Sequence, residues 1–454
     1  MARWRQFHAD GQNQGFVPIQ TTIAQQPKWH IEIGPVGYGS PVIGADNTIY
    51  IGTLKGEIVA INPNGTIKWR QALIGNHPGI ITGSPAVAKD GNIYVISTVN
   101  LQSRDHRGGK VVVRRIRKST LHCLDPSGRI VWSFQFPDNA APSGLGGYTF
   151  SSPKVWGDQN PFIFVPAIFE TSGFAFELLV IQSGNLVFRT DIASYPPAPI
   201  TGEGPGLGDI LEGIWDFINS PVDFDTSGVG PTLEETFGFP EPTLAIVDYG
   251  QYANQPLVII EDNYKALKVF RWEFPILIPL WTKVSKASLR STPATFVNGL
   301  LAIGESDGTI CFYDVDSGNE LWKPWYKANH SVLAPPASFG RQVYFAADKK
   351  LIVLDANSKL WEQHDLGGRC LGAVALSANF AYVSATDGLY TFSFDLQNFS
   401  KNSAVIGGIS SPAIGDDGTV YVMDLRNTLW AFGGQTTATS QRPSHHPAFP
   451  NQKF

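Results

Sequence analysis

One phrase recurs along this chain and limits what it can fold into. At 46–69 it reads DNTIYIGTLKGEIVAINPNGTIKW. Apolar residues alternate through Ile49 and Ile51, Lys55-Gly56 turns the chain, and a second alternating run reaches Ile61. Asn62, Gly65 and Trp69 then close the unit. A short Ser-Pro-type signature precedes each copy: GSP at 39–41 and 83–85, SSP at 151–153, a degenerate PTL at 242–244, STP at 291–293, APP at 334–336, a degenerate LGAVAL at 371–376, and SSP at 410–412. The closing pattern returns as Asp125, Gly128, Trp132, as Asp314, Gly318, Trp322 and as Asp355, Ser358, Trp361.

A unit of four short strands has two apolar faces and cannot bury both alone, so successive units must stack on one another. An Asp or Asn before a turn bonds its own backbone, and a Gly in the turn accepts positive φ. The tryptophans of the outer strands, Trp29, Trp69, Trp132, Trp281, Trp322 and Trp361, are expected to fill the gaps between neighbouring units. The last unit, ISSPAIGDDGTVYVMDLRNTLWAF (409–432), ends without its Trp strand. That strand stands at the other end, where QPKWHIEIG (26–34) matches TIKWRQALIG (66–75). The reading is therefore all-β: an eight-bladed propeller closed by an N-terminal strand, with seven blades as the fallback because units four and seven are weak. It divides into an arm at 1–25, the propeller at 26–434 and a polar, Pro-rich tail at 435–454 that is expected to be disordered.

The pattern SxP–(D/N)GxIYxG–DGxLxALD–xxGxxxW resembles the pyrroloquinoline-quinone-like (PQQ-like) propeller repeat. The opening Trp4-Arg5-Gln6-Phe7-His8-Ala9-Asp10 with Gly15 resembles the segment that often precedes such repeats. The resemblance spans roughly 4–433, and it implies a fold shared by quinoprotein alcohol dehydrogenases and by a scaffold of bacterial outer-membrane protein assembly. The dehydrogenases it resembles use a calcium ion held by Glu, Asn and Asp, an aspartate base, a Trp floor and a disulfide between adjacent cysteines. This chain has only Cys123, Cys311 and Cys370, scattered singly, and little length beyond the propeller for a cofactor chamber. No cofactor is therefore expected, pyrroloquinoline quinone with calcium included, and the chain is read as closer to the noncatalytic scaffolds.

Composition agrees with a soluble, turn-rich β-protein: 46 Gly, 32 Pro and 12% aromatics, with a net charge of −5. That charge argues against wholesale binding of nucleic acid, and no window is long and apolar enough to span a bilayer. MARWRQFHADGQNQG lacks the apolar run of a secretory signal, so the chain as written is expected in the cytoplasm, or in the periplasm or outside the cell if a leader was removed.

Insertions into the repeat carry the functional reading, because function sits on loops held by a rigid scaffold. LQSRDHRGGKVVVRRIRKST (101–120) is placed between the second and third strands of unit two, with Arg104, Arg107, Lys110, Arg114, Arg115, Arg117 and Lys118 against a lone Asp105. Gly108-Gly109 predicts a tight turn and a basic hairpin. A second insertion, 191–242, has no Lys or Arg and many acids. Within it LGDILEGIWDFI (207–218) predicts an amphipathic helix, with Trp215 on its apolar stripe and Asp209, Glu212 and Asp216 facing away. Both insertions and the Gly-rich 137–150 are expected on one face, which would bind a protein partner or small ligand, with the opposite face nearly bare. No HxxxH, HExxH or GxSxG pattern is present, and His77 and His330 sit in equivalent Asn-His turns. The chain is expected to be a monomeric, noncatalytic scaffold. Two alternatives stay open: an enzyme with a funnel site (a divergent quinoprotein oxidoreductase, or a hydrolase or lyase), and carbohydrate or surface binding through Tyr148, Phe150 and Trp156.

Overall fold

Eight antiparallel sheets follow one another along the chain, at 42–72, 86–135, 154–195, 245–284, 294–327, 337–365, 375–402 and 413–433, and we number these blades 1 to 8. The computed structural model describes residues 4–433 other than 11, 38, 74–78, 108–109, 139–146, 171–173, 196–243, 249, 263–265, 286–292, 296–298, 306, 322–325, 329–331, 333, 340–341, 356–359, 371 and 409. For 100–107, 110–117, 170, 174, 195, 250, 294–295 and 360–361 it describes the backbone alone. The expected helix at 207–218 with Asp209, Glu212, Trp215 and Asp216 lies outside the described residues, as do Trp322, His77, His330 and the tail. The same holds for the side chains of Trp361 and of Arg104, Arg107, Lys110, Arg114, Arg115 and Arg117. Among the described residues the one helical element is a 3-10 turn at Gly250–Tyr252.

The first strand of each blade is innermost, and first strands touch between blades 8 and 1, 1 and 2, 2 and 3, 3 and 4, 4 and 5, and 6 and 7, around a common axis. Their shortness, two or three residues such as Val42–Ile43, suits the narrow centre of a ring. Blade 8 takes its outer strand from the N-terminus: Pro27–Glu32 runs antiparallel to Thr428–Gly433, with Trp29 opposite Ala431 and Glu32 opposite Thr428. Closure leaves no end blade with an open apolar face, so the count is eight and the seven-bladed fallback falls away.

The core lies between blades. Seven apolar clusters each bridge neighbours, as where Val42, Tyr50 and Ile58 of blade 1 meet Val87, Ile93 and Val95 of blade 2. At the seam a single cluster joins blades 7, 8 and 1 and takes in Trp4, Val17 and Ala24 from the arm.

Two devices explain the repeated residues. The outer-strand indoles dock on the next blade's last turn. Trp69 lies against Gly128, where an added Cβ would sit 2.7 Å from Cδ2, and its Nε1 donates to Pro126 O at 3.0 Å. Trp29 does the same to Gly65 and Pro63 O (2.9 Å), and Trp281 to Gly318 and Val315 O (2.9 Å). Trp132 covers Gly184. Each of these glycines has φ between +67° and +89°, so the turn and the indole both demand the missing side chain.

The second device is the signature serine. Its hydroxyl accepts the backbone N–H of the same position in the preceding blade: Ser40 N to Ser84 Oγ (2.7 Å), Ser84 N to Ser152 Oγ (2.8 Å), Ala373 N to Ser411 Oγ (2.8 Å) and Ser411 N to Ser40 Oγ (2.9 Å). The weak unit seven is thereby accounted for. Blade 7 carries Ala373 in place of the serine, and blade 6 carries Pro335, which has no N–H to offer it.

Candidate interaction surface

On most blades the connection from second to third strand is short, as from Gly52 to Glu57 or Ala385 to Gly388. On blade 2 it is a long ribbon. Ile93–Arg107 and Lys110–Leu124 pair without interruption from Ile93 opposite Leu124 to Arg107 opposite Lys110, leaving two residues for the turn. The ladder beyond Val99 and Lys118 is eight pairs, about 27 Å of ribbon. By register Arg107, Lys110, Arg114 and Lys118 share one face of it, and Arg104, Arg115 and Arg117 the other, so neither face lacks cations. The expected basic hairpin is thus present in the backbone.

The ribbon's root is braced on both sides. Gly79–Ile80 adds a short strand opposite Val99 and Thr98. Thr98 Oγ1 and Ser119 Oγ lie 2.8 Å apart, Thr149 N donates to Ser119 Oγ (2.9 Å), and Lys118 pairs with Asp138 at 2.7 Å. Tyr148 in turn exchanges two backbone bonds with Ile168 of blade 3. Tyr148 is 1% exposed, which corrects its proposed role in a carbohydrate-binding surface: it is core, in one cluster with Phe164, Ile168 and Phe176 of blade 3 and Ile246 of blade 4. Below them His122 bridges Ser97 and Ser133, both at 2.8 Å, and burial lowers its pKa to about 4, so it is a neutral hydrogen-bonding spacer.

The opposite face is not bare. The N-terminal arm crosses it and reaches every blade. Trp4 O accepts Ile43 N (2.7 Å) and Arg5 O accepts Val87 N (2.7 Å), while Gln6 Oε1 accepts Val155 N (2.9 Å). Ile43, Val87 and Val155 are equivalent positions of blades 1, 2 and 3, so consecutive arm residues meet consecutive blades. Asn13 Nδ2 donates to Leu244 O (3.3 Å) and Pro293 O (3.0 Å), His8 Nε2 lies 2.9 Å from Val374 O, and Phe16 packs on Phe339. Leu376 N donates to Gly15 O, and Gln20 and Thr22 abut Gly418 and Gly433.

The arm's deepest anchor is Lys154, which has no exposed surface. Its Nζ donates to Phe7 O (2.9 Å), Asp10 O (2.7 Å) and Asn13 Oδ1 (2.5 Å), so three acceptors meet the three N–H of an ammonium. Burial lowers the pKa of Lys154 and raises that of Asp10, while the attraction between the two opposes both shifts, and burial lowers His8 to about 4. The other seven blades hold Val42, Ala86, Ala245, Ala294, Ala337, Ala375 and Ala413 at this position. That alignment is the sequence signal for Lys154: one cation at a position that is otherwise Ala or Val.

The described residues do not fit a quinone–calcium site. The arm fills one end of the axis, and Cys123, Cys311 and Cys370 are free and buried apart, with burial pushing their thiol pKa values up. Among those residues no three His, Cys, Asp or Glu side chains gather to hold a metal, and no helix is long and apolar enough to cross a membrane.

Comparison with known proteins follows the architecture. The profile of a family described as outer membrane protein assembly factor BamB matches residues 279–442. No curated protein matches the sequence. Among solved structures, BamB from Moraxella catarrhalis superposes with a TM-score of 0.58 at 14% identity, covering 91% of this chain and 100% of its own. A europium-containing methanol dehydrogenase gives 0.62 at 12% identity, covering 92% and 88%. The computationally designed Ika8 protein gives 0.53 at 12%, covering 91% and 99%. Natural scaffold, enzyme and design share this ring, so the likeness speaks for the fold alone.

Proposed function

From its place among the PQQ-like β-propellers, we propose that this protein is a noncatalytic scaffold that holds an acidic segment of a protein partner with the blade-2 ribbon. One observation carries the reading: a braced, paired ribbon with seven cations and one aspartate between 104 and 118 projects from a chain whose net charge is −5. A β-ribbon rooted in a packed ring presents its charges without the ordering cost that a loose loop would incur. Lys and Arg in such a place speed encounter with an acidic surface and select against a basic one. The match to a BamB-like family over 279–442 supports a scaffold role, since that family is described by assembly. The acidic insertion 191–242, which the sequence leads us to expect on the ribbon's face, belongs to the same proposal.

The test keeps the ring intact. Residues 100–117 are replaced by Asn-Gly, which joins Val99 and Lys118 across an existing pair. A second variant, Arg114→Glu/Arg115→Glu, keeps the ribbon and reverses charge. Acidic proteins cross-linked and recovered with wild type, released by raised salt and lost with both variants are the expected outcome. The same proteins recovered with all three chains would refute it.

A further inference from the structure

The arm that closes the axis divides into parts with different work. Pro27–Glu32 is a clasp with a ladder to blade 8 whose register shifts once, between Pro27 and Trp29. Between the clasp and the axis, Thr21, Ala24 and Gln25 are tied to Asn379, Thr391 and Asn402 of blade 7. The described residues of 4–16 make no ladder at all. They touch the ring at single groups spread over seven blades, and besides Trp4 in the seam cluster the side chains with no exposed surface are polar: His8, Asn13 and the lysine beneath them.

We propose that residues 4–16 are a removable plug over one end of the propeller axis, latched by Lys154, which opens as one unit while the clasp keeps the ring shut. Burying an ammonium costs several kcal/mol, and three hydrogen bonds offset that cost without a large surplus. Apart from the burial of Trp4 in the seam cluster, a plug seated this way is held by a narrow margin, whereas the clasp adds its ladder bonds and the Trp29 dock. The latch is also concentrated: Lys154 binds Phe7 O, Asp10 O and Asn13 Oδ1 together, so its loss frees the whole turn. Opening uncovers the carbonyls of Leu244, Pro293 and Val374, the amides of Ile43, Val87 and Leu376, and a lysine ammonium. The result is a polar port on the axis, through the face opposite the ribbon. No such port is needed for ring closure, because residues 17–32 remain in place.

Hydrogen exchange of the full chain, read by mass spectrometry, tests this. In wild type the amides of 4–16 and those of Ile43, Val87, Val155 and Leu376 should exchange at one common rate, faster than the clasp ladder at 27–32 and 428–433. Lys154→Met should speed the first set about tenfold or more and leave the second unchanged. Should that variant not fold, Asn13→Ala removes a latch acceptor and the bonds to blades 4 and 5, and the same split is expected. The proposal is overturned if wild-type plug amides are as slow as the clasp, if both sets accelerate together, or if a folded latch variant moves neither set.

Discussion

The docking of each outer-strand indole on the next blade's glycine can be separated from the cost of the turn itself. Gly128→Ala and Gly299→Ala place the same methyl at nearly the same backbone conformation, φ +89° and +79°. An L-residue there costs about 1–2 kcal/mol. At Gly299 the nearest atom to the new Cβ is Val315 Cγ1 at 3.8 Å, ordinary contact, so the backbone cost is the whole effect. At Gly128 the Cβ would stand 2.7, 2.9 and 3.0 Å from Trp69 Cδ2, Cε3 and Cε2. The indole must move, which adds an overpacking cost of about 1–3 kcal/mol, and its bond to Pro126 O stretches or breaks. Expected destabilisation is about 1–2 kcal/mol for Gly299→Ala and about 2–5 kcal/mol for Gly128→Ala. Urea unfolding followed by tryptophan fluorescence and by circular dichroism measures both, with coincident curves required before free energies are compared. Equal losses in the two variants would refute the argument that the glycine is demanded by the indole as well as by the turn.

Ser84→Ala leaves the buried Ser40 N–H without its acceptor and should cost about 1–3 kcal/mol in the same unfolding measurement. Ala373→Ser should bring no gain, because Pro335 offers that hydroxyl no N–H; a stabilised variant would contradict the serine belt. Trp29→Ala removes the dock on Gly65 and the bond to Pro63 O, and should raise protease cleavage near 27–32 before any other blade opens. For acid, the sign follows from His8 and His122, whose folded pKa values of about 4 lie below the ordinary 6.5. The unfolded chain binds more protons between those values, so stability should fall as pH drops from about 6.5 to about 4. His122→Gln should flatten part of that slope in thermal melts across the window.

The sequence alone was enough for the class and the closure, and it put the count at eight with seven left open until the sheets were in place. Each of these rests on local rules repeated eight times: alternation that hides one side of a strand, Asn or Asp with Gly at the turns, and a Trp strand missing from one end and present at the other. Repetition makes weak local signals add. The basic ribbon was legible for the same reason, as a departure from a known rhythm, with Gly108-Gly109 marking its turn. Only the folded ring decided what meets across it. Ser40 and Ser84 are 44 residues apart in sequence yet share a hydrogen bond, and Trp69 finds its glycine on a different blade. Lys154 lies 141 residues from Asn13, and no local pattern announces that a lysine in an inner strand will be buried under the N-terminus. Contacts between distant segments are set by the geometry of closure, which brings eight equivalent positions to one axis and leaves the arm to satisfy the polar groups gathered there.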